Sequence, residues 1–339
     1  MRKGVFEADG AGLYYEVRGT GPALLMISGA GRDAGYDVVA EILSGAFMVI
    51  SCDRRGNSRS TGRSGTPMDL AVQAADARAL VDGLHGGRAL VFGSSGGAII
   101  GLVPAALHLE VVTGLIAHEP PAANVPPDGD PGRGFFAELA ELAELAELAE
   151  LAELAELAEL AELAELAALY AQGGALVAGR RFAETTRGEG SYRWPGELWK
   201  RFLGNQDHLF GTEWFGFAAF RPDETALKSA PFPIVLGAGT EDRGMYYARP
   251  SIEIASRIGA PWAEFPGIHM EFLRDPDRFA AAVRVLATQL HSRDGDVPAL
   301  EGSGSVRTEQ LRDQHPPQPR PVGLPRPAPV PAQELMHMR

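Results

Sequence analysis

The chain has a single cysteine, Cys52, in 339 residues. An internal disulfide framework is therefore excluded, and a reducing, cytoplasmic setting is expected. There is no run of about eighteen apolar residues, so no membrane-spanning helix is expected. Near the start, Arg2 and Lys3 are followed by Gly4-Val5-Phe6-Glu7-Ala8-Asp9, which interrupts the apolar core of a signal peptide. No basic cluster or stripe occurs, which argues against nucleic acid as a partner. No group of His, Cys or carboxylate residues has metal-ligand spacing, so no metal is implied.

The formal charge of −13 gives little information about partners. Residues 137–166 are ten perfect copies of Ala-Glu-Leu, whose ten glutamates leave −3 for the rest of the chain. The three residue types are strong helix formers, so the repeat predicts a continuous helix of about 45 Å. A period of three does not match 3.6, however. Its leucines precess around the helix, and no heptad seam exists for a coiled-coil partner. The repeat therefore reads as an expansion within a solvent-facing helix.

The hydrophobic fraction, 45%, is ample for a large core. Buried strands are expected at Ala23–Ile27, Phe47–Ser51, Arg88–Phe92 and Val112–Ala117, and again after Phe232 and near Ala263–Phe265. Helical spacing separates them over Asp33–Ser44, Met68–Leu84 and Ala98–Leu109. Strands alternating with helices predict an α/β protein, a mostly parallel sheet with helices on both faces. Gly4–Arg18 reads as two shorter strands around a turn at Asp9-Gly10-Ala11-Gly12.

The most informative stretch is Gly93-Ser94-Ser95-Gly96-Gly97, set between an apolar strand and an apolar helix. It is a G-x-S-x-G pattern in the strand–turn–helix context of a nucleophile elbow. Such a turn lifts the Ser95 hydroxyl off the sheet and brings the Gly96 amide to the same spot. A phosphate cradle is the competing reading. The turn lacks both G-x-G-x-x-G and the Lys of a P-loop.

In these features the sequence resembles the α/β-hydrolase fold superfamily, in its capped, serine esterase-like form. Four elements carry the resemblance: the elbow, Ser28-Gly29-Ala30-Gly31 in place of a His-Gly oxyanion loop, Asp53–Ser60 in place of D-x-R-G-x-G-x-S, and the C-terminal strand, Asp and His. The sequence departs from the family at Ser28, Ser58 and Ser94. The resemblance implies a core at 1–133 and 230–292 and a helical cap at 134–229 that includes the repeat. Residues 293–339, with eight prolines between 316 and 331, read as a disordered tail.

The resemblance also implies the roles of residues. Ser95 is the expected nucleophile and His269, in the loop after the last strand, the general base. Asp242 is the favoured acid, with its neighbour Glu241 and with Glu119 after the preceding core strand as alternatives. The amides of Ala30 and Gly96 would form the oxyanion hole. Asp53 reads as a loop brace. The expected activity is hydrolysis of a small ester or related acyl substrate, without a cofactor. A non-catalytic small-molecule-binding protein of the same fold, a perhydrolase and a carbon–carbon bond hydrolase are the other readings.

Overall fold

The computed structural model describes residues 1–29, 36–62, 67–126 and 196–291. The Ala-Glu-Leu repeat, most of the expected cap and the Pro-rich tail lie outside these residues.

The strands are β1 (Arg2–Ala8), β2 (Ala11–Arg18), β3 (Ala23–Ile27), β4 (Met48–Cys52), β5 (Ala89–Ser94), β6 (Val112–His118), β7 (Ile234–Gly239) and β8 (Trp262–Phe265). They form one sheet in the order β1-β2-β4-β3-β5-β6-β7-β8. β1 and β2 are a hairpin, and β2 also runs antiparallel to β4. From β4 to β8 every pairing is parallel. The hairpin turn is tighter than its sequence suggested. Ala8 pairs with Ala11, which leaves only Asp9-Gly10 at the tip, with Gly10 at φ 74°.

The described helices are α1 (Asp37–Leu43), α2 (Leu70–Leu84), α3 (Gly96–Leu102), α4 (Pro104–Leu107), α5 (Gly196–Gly204), α6 (Gln206–His208), α7 (Trp214–Ala219), α8 (Glu224–Lys228), α9 (Arg249–Ile258), α10 (Glu271–Arg274) and α11 (Pro276–His291). Two boundaries differ from the periodicity. α2 starts at Leu70 because the Asp69 carboxylate caps it, accepting the amide of Ala71. The helix after the elbow divides at Val103, because Pro104 has no N–H to continue the ladder. Among the described residues no helix is long and apolar enough to cross a membrane.

Alternation along the central strands explains why both faces of the sheet are covered. Leu24, Met26, Leu90, Phe92, Ile116 and Val235 pack on one face, together with Val39 and Leu43 of α1 and Phe279, Val283 and Leu286 of α11. Their sequence neighbours Leu25, Ile27, Val91, Leu115, Ile234 and Leu236 pack on the other. There they meet Ala77 and Val81 of α2, Ile99 and Ile100 of α3, and Ile254 and Ile258 of α9. This two-residue period requires two apolar layers, and so a sheet buried on both sides.

Phe92 is fully buried and packs edge-on to Tyr36 and Phe279. Phe92→Ala is expected to cost about 3–5 kcal/mol. Chemical denaturation would register this as a lower midpoint at unchanged slope.

The aromatic segment that leads back to the core is also buried. Phe210, Trp214, Phe217 and Phe220 join the same apolar cluster as Ile27 and Leu236. Within it, Leu209–Glu213 is wound as a π-helix, a wider turn that admits one extra residue.

Candidate active site

β5, β6 and β7 are adjacent and parallel, and their C-terminal ends meet on one edge. In open parallel sheets this edge is where ligands bind. Ser95 follows β5, Glu119 follows β6, Asp242 lies just beyond β7, and His269 lies beyond β8.

Ser95 has φ 59° and ψ −130°, a conformation that a residue with a Cβ rarely adopts. Holding it costs on the order of 1–3 kcal/mol, which the surrounding contacts must offset. Its amide donates to the His118 carbonyl at 2.9 Å, and its own carbonyl accepts from Ala98 at 2.8 Å. The glycines on either side leave no alternative. A Cβ on Gly93 would lie 2.2 Å from the Gly97 carbonyl oxygen, and one on Gly97 would lie 2.1 Å from that of Ile27.

Gly29 lies directly against Ser95: a Cβ built on it falls 2.9 Å from Ser95 Cβ and 3.4 Å from Ser95 Oγ. Gly96 is the first residue of α3, so its amide is among those without an intrahelical acceptor. Ala30, the other expected oxyanion donor, lies outside the described residues.

His269 is buried, and its ring and main chain go to different carboxylates. Nδ1 lies 2.5 Å from Glu119 Oε2. The main-chain N–H donates to Asp242 Oδ2. The sequence reading favoured Asp242 as the partner of the imidazole. In the structure Asp242 instead holds the backbone of the histidine loop, and the ring faces Glu119. Glu241, the other alternative, is exposed and paired with Arg274 at 2.7 Å.

The backbone explains this division of labour. Glu119 has φ 50°, which turns its side chain from the strand end across to the neighbouring loops. Its other oxygen, Oε1, accepts the Gly239 amide at 2.7 Å, which fixes the carboxylate on both sides. Burial pushes its pKa up, against the lowering effect of His118 and the Gly239 amide.

Asp242 is also pushed up, to about 7, by burial and then by the charge of Glu119. The His269 amide and the Tyr247 hydroxyl act in the opposite direction. Between the ordinary carboxylate value of 3.8 and about 7, the native state thus holds a proton that the unfolded chain has released. Stability from this group is complete below the unfolded value and is lost as pH rises through about 7. Asp242→Asn is accordingly expected to flatten the decline in melting temperature between pH 4 and 7. Parallel wild-type and variant profiles would contradict the assignment.

Sequence reasoning missed His118. It is fully buried, stacks on His269 at 6.1 Å between centroids, and has Ser94 Oγ 2.9 Å from its Nδ1. This contact accounts for a small serine before Ser95, where the family carries a bulky residue. Burial lowers the pKa of His118 to about 4; Glu119 opposes the shift and His269 adds to it. The only sequence signal was its place at a strand end beside an acid.

Asp53 behaves as the brace its turn suggested. Its carboxylate takes Arg59 Nε at 2.6 Å and the Arg59 amide at 3.1 Å. In the same turn Ser58 stands at φ 47° where the family has glycine. Asn205 holds it there, accepting the Ser58 amide at 2.8 Å and donating to its hydroxyl at 2.9 Å.

An eight-stranded sheet, parallel from β4 onward, with a strained serine between β5 and α3, defines an α/β hydrolase fold. The family profile described as "Alpha/beta hydrolase family" matches residues 24–282, and the chain belongs to that family. It is 29% identical over 288 residues to the uncharacterized hydrolase YraK of Bacillus subtilis (strain 168), covering 79% of this chain and 90% of that protein. Among solved structures it resembles a thermophilic esterase from Thermogutta terrifontis, with a TM-score of 0.63 at 18% identity, over 86% of this chain and 100% of the other. An alpha/beta hydrolase from Sphaerobacter thermophilus DSM 20745 has a TM-score of 0.55 at 20% identity, over 84% and 99%.

Proposed function

We propose that the chain is a serine hydrolase that cleaves a small ester or related acyl substrate through an acyl-enzyme. The observation that carries this reading is Ser95 at φ 59° and ψ −130°, on the same sheet edge as the Glu119–His269 pair. A backbone this strained persists only where neighbouring contacts enforce it, and it sets one hydroxyl at a strand-to-helix turn. The esterase among the structural relatives is in keeping with the reading.

In the proposed reaction Ser95 Oγ attacks the substrate carbonyl carbon while His269 Nε2 accepts its proton. Glu119, bound to Nδ1, keeps the imidazole in the tautomer that leaves Nε2 free to act as base, and stabilises the imidazolium that follows. The Gly96 amide stabilises the oxyanion, with the amide of Ala30 as the expected second donor. His269 returns the proton to the leaving group, and water then releases the acyl chain by the same steps. Asp242 has a structural part here: it anchors the loop from which His269 projects. The inserted segment between β6 and β7 is proposed to cover the substrate, and the single buried thiol of Cys52 fits a cytoplasmic setting.

A fluorophosphonate probe tests the reading directly. Peptide mass spectrometry of the treated wild type is expected to place one adduct on Ser95, with loss of p-nitrophenyl ester turnover. A folded protein that takes no label and hydrolyses no ester would overturn it.

A further inference from the structure

Ser94 and His118 are paired in the parallel register of β5 and β6, one residue before Ser95 and one before Glu119. The Ser95 amide ties the two strand ends by donating to the His118 carbonyl at 2.9 Å. The side chains add a second tie, from Ser94 Oγ to His118 Nδ1 at 2.9 Å.

The His118 ring is fully buried, with Phe265 at 4.6 Å and Phe279 at 5.5 Å between ring centroids. Such surroundings suit an apolar ring. An imidazole there must give up the hydration of two nitrogens, and Ser94 compensates only one. Among the described residues Nε2 has no hydrogen-bond partner. It stands 3.8 Å from Glu119 Oε2, the same oxygen that faces His269 Nδ1. A buried nitrogen left in that place calls for an explanation beyond packing.

The carboxylate supplies one. Burial keeps His118 neutral, with a pKa of about 4, so one ring nitrogen bears a proton and the other a lone pair. A lone pair on Nε2 would repel Glu119 Oε2, whereas an N–H there is attracted to it. The Nε2–H tautomer is therefore favoured, and the Ser94 hydroxyl donates to Nδ1. At 3.8 Å the N–H is past hydrogen-bond length. Its dipole still acts on the charge, because both groups are withdrawn from water.

Glu119 thus has the Gly239 amide on Oε1, and His269 Nδ1 and His118 Nε2 on the side of Oε2. Each favours the ionised carboxylate, while burial acts against it. The ionised form is the one that orients the His269 ring and stabilises its imidazolium.

We propose that His118 is a positioning residue for the hydrolytic reaction, held by Ser94 and acting through Glu119 Oε2 to keep that carboxylate in the form that orients His269. The inference rests on the serine-hydrolase reading with Glu119 as the acid. It adds a second histidine to the site and gives Ser94 a part in fixing its tautomer. Asp242, Tyr247 and Glu241 also bear on the pair. Asp242 takes the His269 amide, the Tyr247 ring lies 4.5 Å from that of His269, and Glu241 acts on Asp242. All three are unchanged in the variants compared.

The test uses the full chain and three variants. His118→Phe keeps a ring between the phenylalanines and removes the N–H. His118→Gln returns a side-chain N–H near the place of Nε2. Ser94→Ala leaves the imidazole but removes the hydroxyl that fixes its tautomer. Folding is checked by thermal melt, and kcat/KM on p-nitrophenyl acetate is measured from about pH 5 to 9, where a histidine base titrates. The His269 Cε1 proton is followed by NMR over the same range, assigned by its absence in His269→Gln.

Losing the N–H takes the positive end of a dipole away from the Glu119–His269 pair, so the pair binds a proton more readily. His118→Phe is expected to raise the midpoint of the acid limb, and of the His269 titration, by about 0.5–1 pH unit. Below both midpoints this is a further loss of kcat/KM of about 3- to 10-fold. Ser94→Ala should shift the midpoint the same way by less, and His118→Gln should return it most of the way to wild type. A purely structural part would lower the plateau and leave the midpoint in place.

A folded His118→Phe with the wild-type midpoint would overturn the role, as would His118→Gln shifted as far as His118→Phe. Where His118→Phe does not fold, an unmoved midpoint in folded Ser94→Ala overturns it and a raised one supports it. In all these outcomes the wild-type Ser95 still labels with fluorophosphonate. A wild type that neither labels nor turns over ester would overturn the hydrolase reading, and this role with it.

Discussion

Ser95→Ala is expected to lower kcat for a p-nitrophenyl ester by about 10⁶-fold and to abolish fluorophosphonate labelling. His269→Ala should cost nearly as much, and the double variant little more, because nucleophile and base act as one unit. The substitution at Ser95 should leave the melting temperature close to wild type. The strain sits in the backbone at φ 59°, and alanine bears it as serine does. Loss of turnover without loss of fold is therefore the signature to look for. Retention of turnover in Ser95→Ala would exclude an acyl-enzyme at this residue.

The second large effect separates the two carboxylates. Glu119→Gln is expected to reduce kcat by about 10⁴-fold, because an amide facing Nδ1 favours the wrong imidazole tautomer. Asp242→Asn should cost less than about tenfold at pH 8. Its carboxylate accepts the main-chain N–H of His269, so its loss loosens the loop but leaves the ring partner in place. Rate profiles of both variants against pH, on a folded background, check this. The reverse order of losses would return the acid role to Asp242. Equal losses would mean that the pair orients the histidine jointly, as their electrostatic coupling permits.

The acid illustrates where sequence reading reaches its limit. Glu119 and Asp242 each follow a strand of the parallel sheet, and chain order allows either to meet His269. The structure separates them through one backbone angle and one reach. Glu119 at φ 50° brings its carboxylate 2.5 Å from Nδ1, while Asp242, three residues past β7, meets the amide of His269. Neither distinction leaves a mark in composition or periodicity.

Local rules determined much of the rest. Alternating apolar residues in β3, β5, β6 and β7 require two buried faces, and glycines at 93 and 97 are dictated by contacts under about 3 Å. The elbow, the α/β layering and the approximate strand positions follow from short-range patterns of this kind, which is why the sequence alone determined them. The partners of buried polar and charged groups follow no such pattern. His118 beneath the histidine and Arg54 held by Glu213 across 159 residues depend on which loops the sheet brings together. A charge removed from water must find its counterpart in three dimensions, and only the tertiary structure decided which one it found.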